Sequence, residues 1–435
     1  MIEEFSFGNF RSFKDIQTLN MTAAKIKSNN PSLDTDNLIS INDKLALLKS
    51  KAIYGANASG KSNVVKAFGC YIKIIQESSN NENILKMVDS FKLSTETESK
   101  PTFFELTFRS NNIRYRYGFE VDSLEIKSEW LFATPNLREL PLFIRKGQNI
   151  IKIDKKHYHE GVKYIKLASD TINNSDDLLN AYTRTNALFL KSIALTGFGK
   201  ESKILVEKIS SIGVIDGLGS HGMHSTAAMQ LSKPKYKNHI LDFLKYADVG
   251  INDLSIIEIS TKDFHLDTIE RNSDKQKLVV SKKIKFNNEL VSDGLYHILP
   301  FYEESEGTQK MFELSPFIFD ALNDSKPLII DEFDARFHPL ITKKIVELFN
   351  SKTNTNSQLI FITHDTNLLS SELLRKDQIE FVEKDKFGVS HLYSLLQFKG
   401  IRNNASFEKD YLQGKYGAVP FLGNFNNIFR IEEDA

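Results

Sequence analysis

Gly55-Ala-Asn-Ala-Ser-Gly60-Lys61-Ser62 is the stretch on which the reading turns. Before it, Leu45-Ala-Leu-Leu48 and Ala52-Ile-Tyr54 predict a short buried strand. After it, Val64, Val65, Phe68, Tyr71, Ile72 and Ile75 recur on one helical face, predicting a helix from Lys61 to about Glu77. The octapeptide fits G-x-x-x-x-G-K-[ST] between a strand and a helix, the context that motif needs. Its glycines let the backbone turn so that successive N–H groups point at phosphate oxygens. The helix N-terminus adds partial positive charge. Lys61 brings a full charge to the β- and γ-phosphates, and the Ser62 hydroxyl can complete a magnesium shell. Gly55, Ala56, Asn57, Ala58, Ser59, Gly60, Lys61, Ser62 and Asn63 are therefore the candidate ATP-binding residues, with ATP and Mg2+ as the expected cofactors.

Working outward, Leu328-Ile-Ile330 predicts a buried strand that ends in two carboxylates, Asp331 and Glu332. One carboxylate at a strand end beside a phosphate loop is a magnesium partner, the expected role of Asp331. Glu332 is placed to polarise an attacking water. Asp331 follows Ser62 by 269 residues, so a long insertion leaves and re-enters one ATPase unit. That is the architecture of ABC-type heads. Asp334 then occupies the place of a D-loop that crosses to a partner subunit. His364, after the next predicted strand (Leu359 to Ile362), stands where such enzymes carry a switch histidine for the γ-phosphate. Ser305-Glu-Gly307-Thr308 opens a helix predicted over Thr308 to Ala321, where a Ser-x-Gly signature grips the phosphate of the opposite subunit. A plain N-cap at Ser305 is the alternative.

The remainder divides by period. Ile2 to Phe13 alternates and reads as an edge strand and turn; residues 22–42 read as loop. From 101 to 153 the period is two, predicting three or more antiparallel strands. From 168 to 250 the texture is helical, clearest at Asp176 to Ser192 and Ile240 to Tyr246. The run from Arg271 to Lys277 reads as a hairpin tip. After 311, helix (Leu340 to Phe349) and strand alternate as in a parallel sheet. The expected organisation is an α/β fold, an ABC-type P-loop NTPase head with a mixed β-sheet, an antiparallel β-subdomain and a helical insertion. Residues 1–150 and 296–400 form the two halves of the head, 151–295 the inserted lobe and 401–435 a C-terminal extension.

With these residues assembled, the chain resembles the abortive-infection ATPases of prokaryotic phage defence, the AbiLi/RloA type, related to OLD, RecF and Rad50-like heads. The matching landmarks are Asn9-Phe-Arg-Ser-Phe13, Tyr54 to Asn63, Glu304 to Thr308, Ile330 to Pro339, Thr363-His-Asp-Thr366 and Tyr411 to Pro420. The resemblance implies a homodimer, or a higher assembly of dimers, closed around ATP. It also implies a separate effector, a Toprim-type or other nuclease, with nucleic acid contacted through the complex. It places Arg11 near the nucleotide. A Q-loop residue is expected near Phe91 to Phe104, where no glutamine occurs.

Composition narrows the alternatives. Fifty-six basic against 56 acidic residues give zero net charge, which argues against coating nucleic acid by bulk charge. One cysteine, Cys70, excludes an intramolecular disulfide and a Cys-based zinc site. The first residues lack a basic and an apolar region, and no window reaches the length of an apolar span, so a cytoplasmic protein without membrane contact is expected. Only 71 residues follow His364, short for a Toprim domain, which disfavours a self-contained nuclease. Direct action on DNA in repair, or regulation of an OLD-type nuclease, is the alternative reading; a non-catalytic ATP clamp is disfavoured by Glu332. Three constellations read mainly as solvated surface. His157-Tyr-His159-Glu160 could hold a metal, Asp216 with His221 and His224 a metal or an effector, and the basic run from 271 to 286 a phosphate backbone.

Overall fold

The computed structural model describes residues 1–172, 182–217, 222–247, 250–260, 275–289, 292–402 and 404–420. The P-loop helix spans Lys61–Glu77, as the apolar spacing predicts, and is clasped between two sheets. One is mixed and six-stranded, in the order Gly213–Ile215, Leu328–Ile330, Leu359–Ile362, Ser50–Tyr54, Ile379–Lys384, Ser390–Ser394. All neighbours pair in parallel except the last two, which are antiparallel. Parallel strands covered on both faces need apolar residues at every position. Ile53, Ile329, Ile360 and Ile362 turn toward the P-loop helix. Ala52, Tyr54, Leu328, Ile330, Leu359 and Phe361 turn the other way, under the helices Glu306–Asp324 and Pro339–Phe349.

The other sheet is antiparallel and seven-stranded: Asn149–Ile153, Leu140–Lys146, Ile126–Thr134, Ile113–Val121, Thr102–Ser110, Ile2–Gly8, Gln17–Asn20. Aromatic side chains from its inner face meet the helix. Phe5 stacks on Phe68, with ring centroids 3.8 Å apart, and Tyr71 on Phe119 at 5.3 Å. Such pairs add about 0.5–1.5 kcal/mol beyond area burial. The strand expected at the edge, Ile2–Gly8, is instead second from it. Gln17–Asn20 supplies the edge, and Ile2, Phe5 and Phe7 are buried beneath.

Other expectations are corrected. Residues 22–42 contain the helix Leu33–Asp36 and the strand Leu38–Asn42, which pairs with Leu45–Leu48 in a separate two-stranded sheet. Of the helix expected over Asp176 to Ser192, residues 176–181 lie outside the described residues, 182–188 are turn and coil, and the helix begins only at Phe189. Gly213–Ile215, inside the stretch expected as an inserted lobe, belongs to the six-stranded sheet. A third core joins the helices Met223–Leu231 and Pro234–Tyr246 to a three-stranded sheet, Asp253–Ser260, Lys275–Phe286 and Ser292–Pro300. Phe301, Met311 and Phe312 carry that core to the start of the helix Glu306–Asp324. No helix among the described residues is long and apolar enough to cross a membrane.

Candidate functional site

In an open parallel sheet, ligands sit beyond the carboxyl ends of the strands. At that edge here the chain places the P-loop, Asp216, Asp331-Glu332 and His364, each directly after a strand. The Leu359–Ile362 strand lies between the P-loop strand and the Asp331 strand, so the histidine rises between loop and carboxylates.

The loop is tightly built. Ala58 and Gly60 lie at positive φ, 60° and 110°. A Cβ on Gly60 would stand 2.4 Å from Ser390 Oγ and 2.7 Å from Ser12 Oγ, so only glycine fits. Those serines brace the loop. Ser390 Oγ donates to Ser59 O (2.6 Å) and lies 2.8 Å from Ser12 Oγ, whose hydroxyl can donate to it, and Asn63 Nδ2 donates to Ser12 Oγ (2.8 Å). Lys61 Nζ donates to the carbonyls of Gly55 and Ala56, both at 2.8 Å, which holds the ammonium over the cradle. Burial lowers its pKa to about 8, against the pull of Asp331 and Asp334. The buried Ser59 hydroxyl has no partner.

Asp331 is 3 % exposed, and its carboxyl is raised above the usual range, chiefly by burial and further by Asp216; a hydrogen bond from Ser62 opposes the shift. Two carboxylates and a hydroxyl form a hard-oxygen set that a magnesium ion on phosphates suits. Glu332 follows at φ 50°, a left-handed conformation that costs a non-glycine residue about 1–3 kcal/mol. Its Oε2 is buried without a partner. An orphaned carboxylate oxygen in a strained backbone, beside the phosphate loop, leaves acceptor capacity for a water.

Strain this local needs fixing from outside, and Lys310 supplies it. From the helix Glu306–Asp324 its ammonium donates to the carbonyls of Glu332 (2.8 Å), Phe333 (3.3 Å) and Ala335 (2.7 Å). Burial brings its pKa down to about 8. Gly307 packs against the same turn: a Cβ there would stand 2.7 Å from Arg336 O. Arg336 is itself left-handed, φ 68°, and pairs with Glu306 at 3.2 Å. Ser305 is exposed and caps its own helix, its Oγ accepting from Thr308 N at 3.2 Å and meeting Thr308 Oγ1 at 2.8 Å. Asp334 Oδ1 accepts from the His364 amide at 3.1 Å. Partial desolvation, followed by the Lys61 charge, keeps the exposed His364 ring below its ordinary pKa.

Sequence reasoning missed Lys310, Ser12 and Ser390. Lys310 lies one position off the buried stripe of Thr308, Met311 and Phe312, which is the only signal it gives. Asp216 is placed beside Asp331, whereas His224 sits on the next helix and pairs with Glu313 at 3.5 Å; His221 lies outside the described residues. Phe91 to Phe104, where a Q-loop was expected, leads into the antiparallel sheet; the strand flanking Leu328–Ile330 is Gly213–Ile215, which Asp216 follows. His157 pairs with Asp154 at 3.0 Å in the turn before the helix His159–Ile172, and Glu160, in that helix, accepts from the Ser202 amide at 2.6 Å and so caps the helix Lys200–Ser210; none of them lines a hairpin. In the basic run, Lys282 pairs with Asp253 (3.3 Å) and Lys283 with Glu304 (2.9 Å); Arg271 is outside the described residues. Arg11 lies on the wall of a neighbouring cleft, while Ser12 beside it touches the loop.

The chain belongs to the family described as "AAA domain, putative AbiEii toxin, Type IV TA system", which matches residues 52–177 and 225–370, well over half of its length. No curated protein matches it. Among solved structures it is similar to the SMC head domain from Thermotoga maritima, at 12 % identity and a TM-score of 0.38, covering 90 % of this chain and 98 % of that one. It is also similar to the Smc head domain of Pyrococcus furiosus with an extended coiled coil, bound to the C-terminal domain of ScpA, at 14 % identity and a TM-score of 0.39, covering 95 % and 98 %. The sequence family and the strand order, rather than these superpositions, identify an ABC-like P-loop ATPase fold.

Proposed function

We propose that this AAA-domain family member hydrolyses ATP as a dimerising switch in an antiviral, abortive-infection type of defence, controlling a separate effector of nuclease chemistry. The observation that carries the reading is the orphaned, strained Glu332 carboxylate held beside the phosphate loop. Lys61 leaves the carbonyls of Gly55 and Ala56 for the β- and γ-phosphates, while the loop amides and Asn63 hold the remaining oxygens. Ser62 and Asp331, with Asp216 nearby, would hold a magnesium ion, which when bound would neutralise phosphate charge. Glu332 orients a water and takes its proton. The water oxygen bonds to the γ-phosphorus as the bond to the bridging oxygen breaks, giving ADP and inorganic phosphate. His364 and Asp334 register the γ-phosphate.

Of the signature residues, Ser305 is exposed at a helix N-terminus while Gly307 and the buried Thr308 hold the turn behind it, a geometry suited to presenting Ser305 to the γ-phosphate bound by a second copy. Because Lys310 ties that same helix to the Glu332 turn, closure of the dimer aligns the water in both sites. The defence role and the effector rest on the sequence landmarks and the family. The test is phosphate release by the purified chain with MgATP, beside Lys61→Ala. We expect turnover in the wild type and none in the variant; equal turnover in both would remove the assignment.

A further inference from the structure

A cleft of about 840 Å3 runs along the outer side of the P-loop helix, apart from the loop itself. Its floor is apolar, made by Val65, Gly69, Cys70 and Ile72 of the helix with Ile212 and Val214 opposite. Its walls are cationic: Arg11, Lys66, Lys73, Lys86 and Lys92 all line it, against two carboxylates, Asp89 and Asp216. Asp89 pairs with Lys92 at 3.8 Å, and Asp216 lies beside Asp331. Among the described residues, Arg11, Lys66, Lys73 and Lys86 have no ion partner. Four cations without an ion pair, of which Lys66 also acts on Asp331 from a distance, stand out around one cavity in a chain of zero net charge.

Two details show that the cavity is shaped rather than incidental. Arg11 is held left-handed, φ 52°, with its amide donating to Asp89 O at 2.7 Å, and its Nε is buried without a partner. A non-glycine residue accepts that strain where surrounding structure imposes it. Gly69 sits inside a 17-residue helix, where glycine is unfavourable, yet a Cβ there would meet only Val214 Cγ1, at 3.9 Å. Nothing in the chain itself requires glycine at that point. What the missing side chain preserves is space above the floor.

We propose that this cleft is a second ligand site, separate from the P-loop, for the phosphate of a nucleotide unit whose ring lies on the apolar floor. The unit is either a free nucleotide or the terminal nucleotide of a nucleic-acid strand. Cavities of about 300–1,000 Å3 with an apolar lining and a few polar groups are the size class for such ligands, whereas inorganic phosphate alone would leave most of the volume unfilled. Arg11 gives the phosphate a fork of donors, and Lys66 and Lys73 add charge from the helix. The inference does not depend on hydrolysis at the P-loop.

The test uses the full chain with its P-loop saturated by a non-hydrolysable MgATP analogue, titrated calorimetrically. One arm uses free purine and pyrimidine monophosphates; the other uses a short single strand with and without a 5′-phosphate. One-to-one binding in either arm is expected and names the source. Arg11→Gly, which suits the left-handed backbone and so spares the fold, is expected to weaken it at least tenfold. Gly69→Leu should abolish binding. Gly69→Ala should raise the melting temperature while weakening the ligand, a combination that a purely structural glycine cannot produce. Absence of saturable binding in both arms, or binding unaltered by Arg11→Gly and Gly69→Leu, would overturn the proposal.

Discussion

Glu129 and the Asp331-Glu332 pair are acidic groups withdrawn from water in one chain under opposite conditions. Glu129 is fully buried in the antiparallel sheet, and every oxygen is used. Oε1 accepts from Tyr117 Oη (2.9 Å) and Leu190 N (2.9 Å), and Oε2 from Phe189 N (2.7 Å) and Arg145 Nη1 (3.2 Å). At the parallel-sheet edge, Glu332 keeps an oxygen buried and unpaired on a left-handed backbone, and Asp331 is crowded by Asp216. Although Arg145 keeps its Nη2 buried without a partner, the Glu129 carboxylate itself is fully used and joins strands to the helix Phe189–Ala194, a structural task. The open pair keeps its acceptors for a ligand. Satisfaction of the carboxylate oxygens, more than burial or charge, separates the two.

That contrast can be broken by substitution. The largest effect is expected from Glu332→Gln, which should cut phosphate release by ~10²–10⁴-fold while leaving urea stability within about 0.5 kcal/mol. Glu129→Ala should do the reverse, costing about 3–5 kcal/mol in urea melts because Arg145 is left buried and uncompensated. Equal losses of stability in the two variants would erase the distinction. Lys310→Met should lower turnover by roughly 10²-fold through misplacement of Glu332, with ATP affinity kept and Lys310→Arg restoring part of the rate.

Smaller effects sharpen the picture. Lys61 has a pKa of about 8 in the free protein, and bound phosphates raise it. ATP affinity is therefore fully present below about pH 8 and falls as pH rises beyond it, by up to tenfold per pH unit; titrations from pH 7 to 9.5 measure this. Ser12→Ala removes a hydrogen-bond partner of both Asn63 and Ser390. It should cost about 1 kcal/mol of loop order, read as a few-fold loss of ATP affinity with turnover at saturation unchanged.

Legibility in the sequence followed the range of the interactions. Strands buried on both faces, such as Leu328–Ile330 and Leu359–Ile362, and the helix Lys61–Glu77 announce themselves through local apolar pattern. Residues at the ends of those elements, Lys61, Asp331 and His364, were therefore visible too. Pairing across the chain was not. Gly213–Ile215 is only three residues long, and its place beside Leu328–Ile330 depends on a partner more than a hundred residues away. Gln17–Asn20 has no strong pattern because one of its sides is solvent. Lys310 resembles any surface lysine until the helix is docked and three carbonyls converge on its ammonium. Short polar contacts over long sequence separations leave no period to read.

In the proposed switch, ATP closes two copies into composite sites in which Ser305 and Gly307 of one meet the γ-phosphate held by the other. Multi-angle light scattering of the wild type and Glu332→Gln, with and without MgATP, tests it most directly. MgATP is expected to double the mass of the wild type transiently and to lock Glu332→Gln as a dimer that Ser305→Arg abolishes. A mass that ignores nucleotide in both proteins would contradict it.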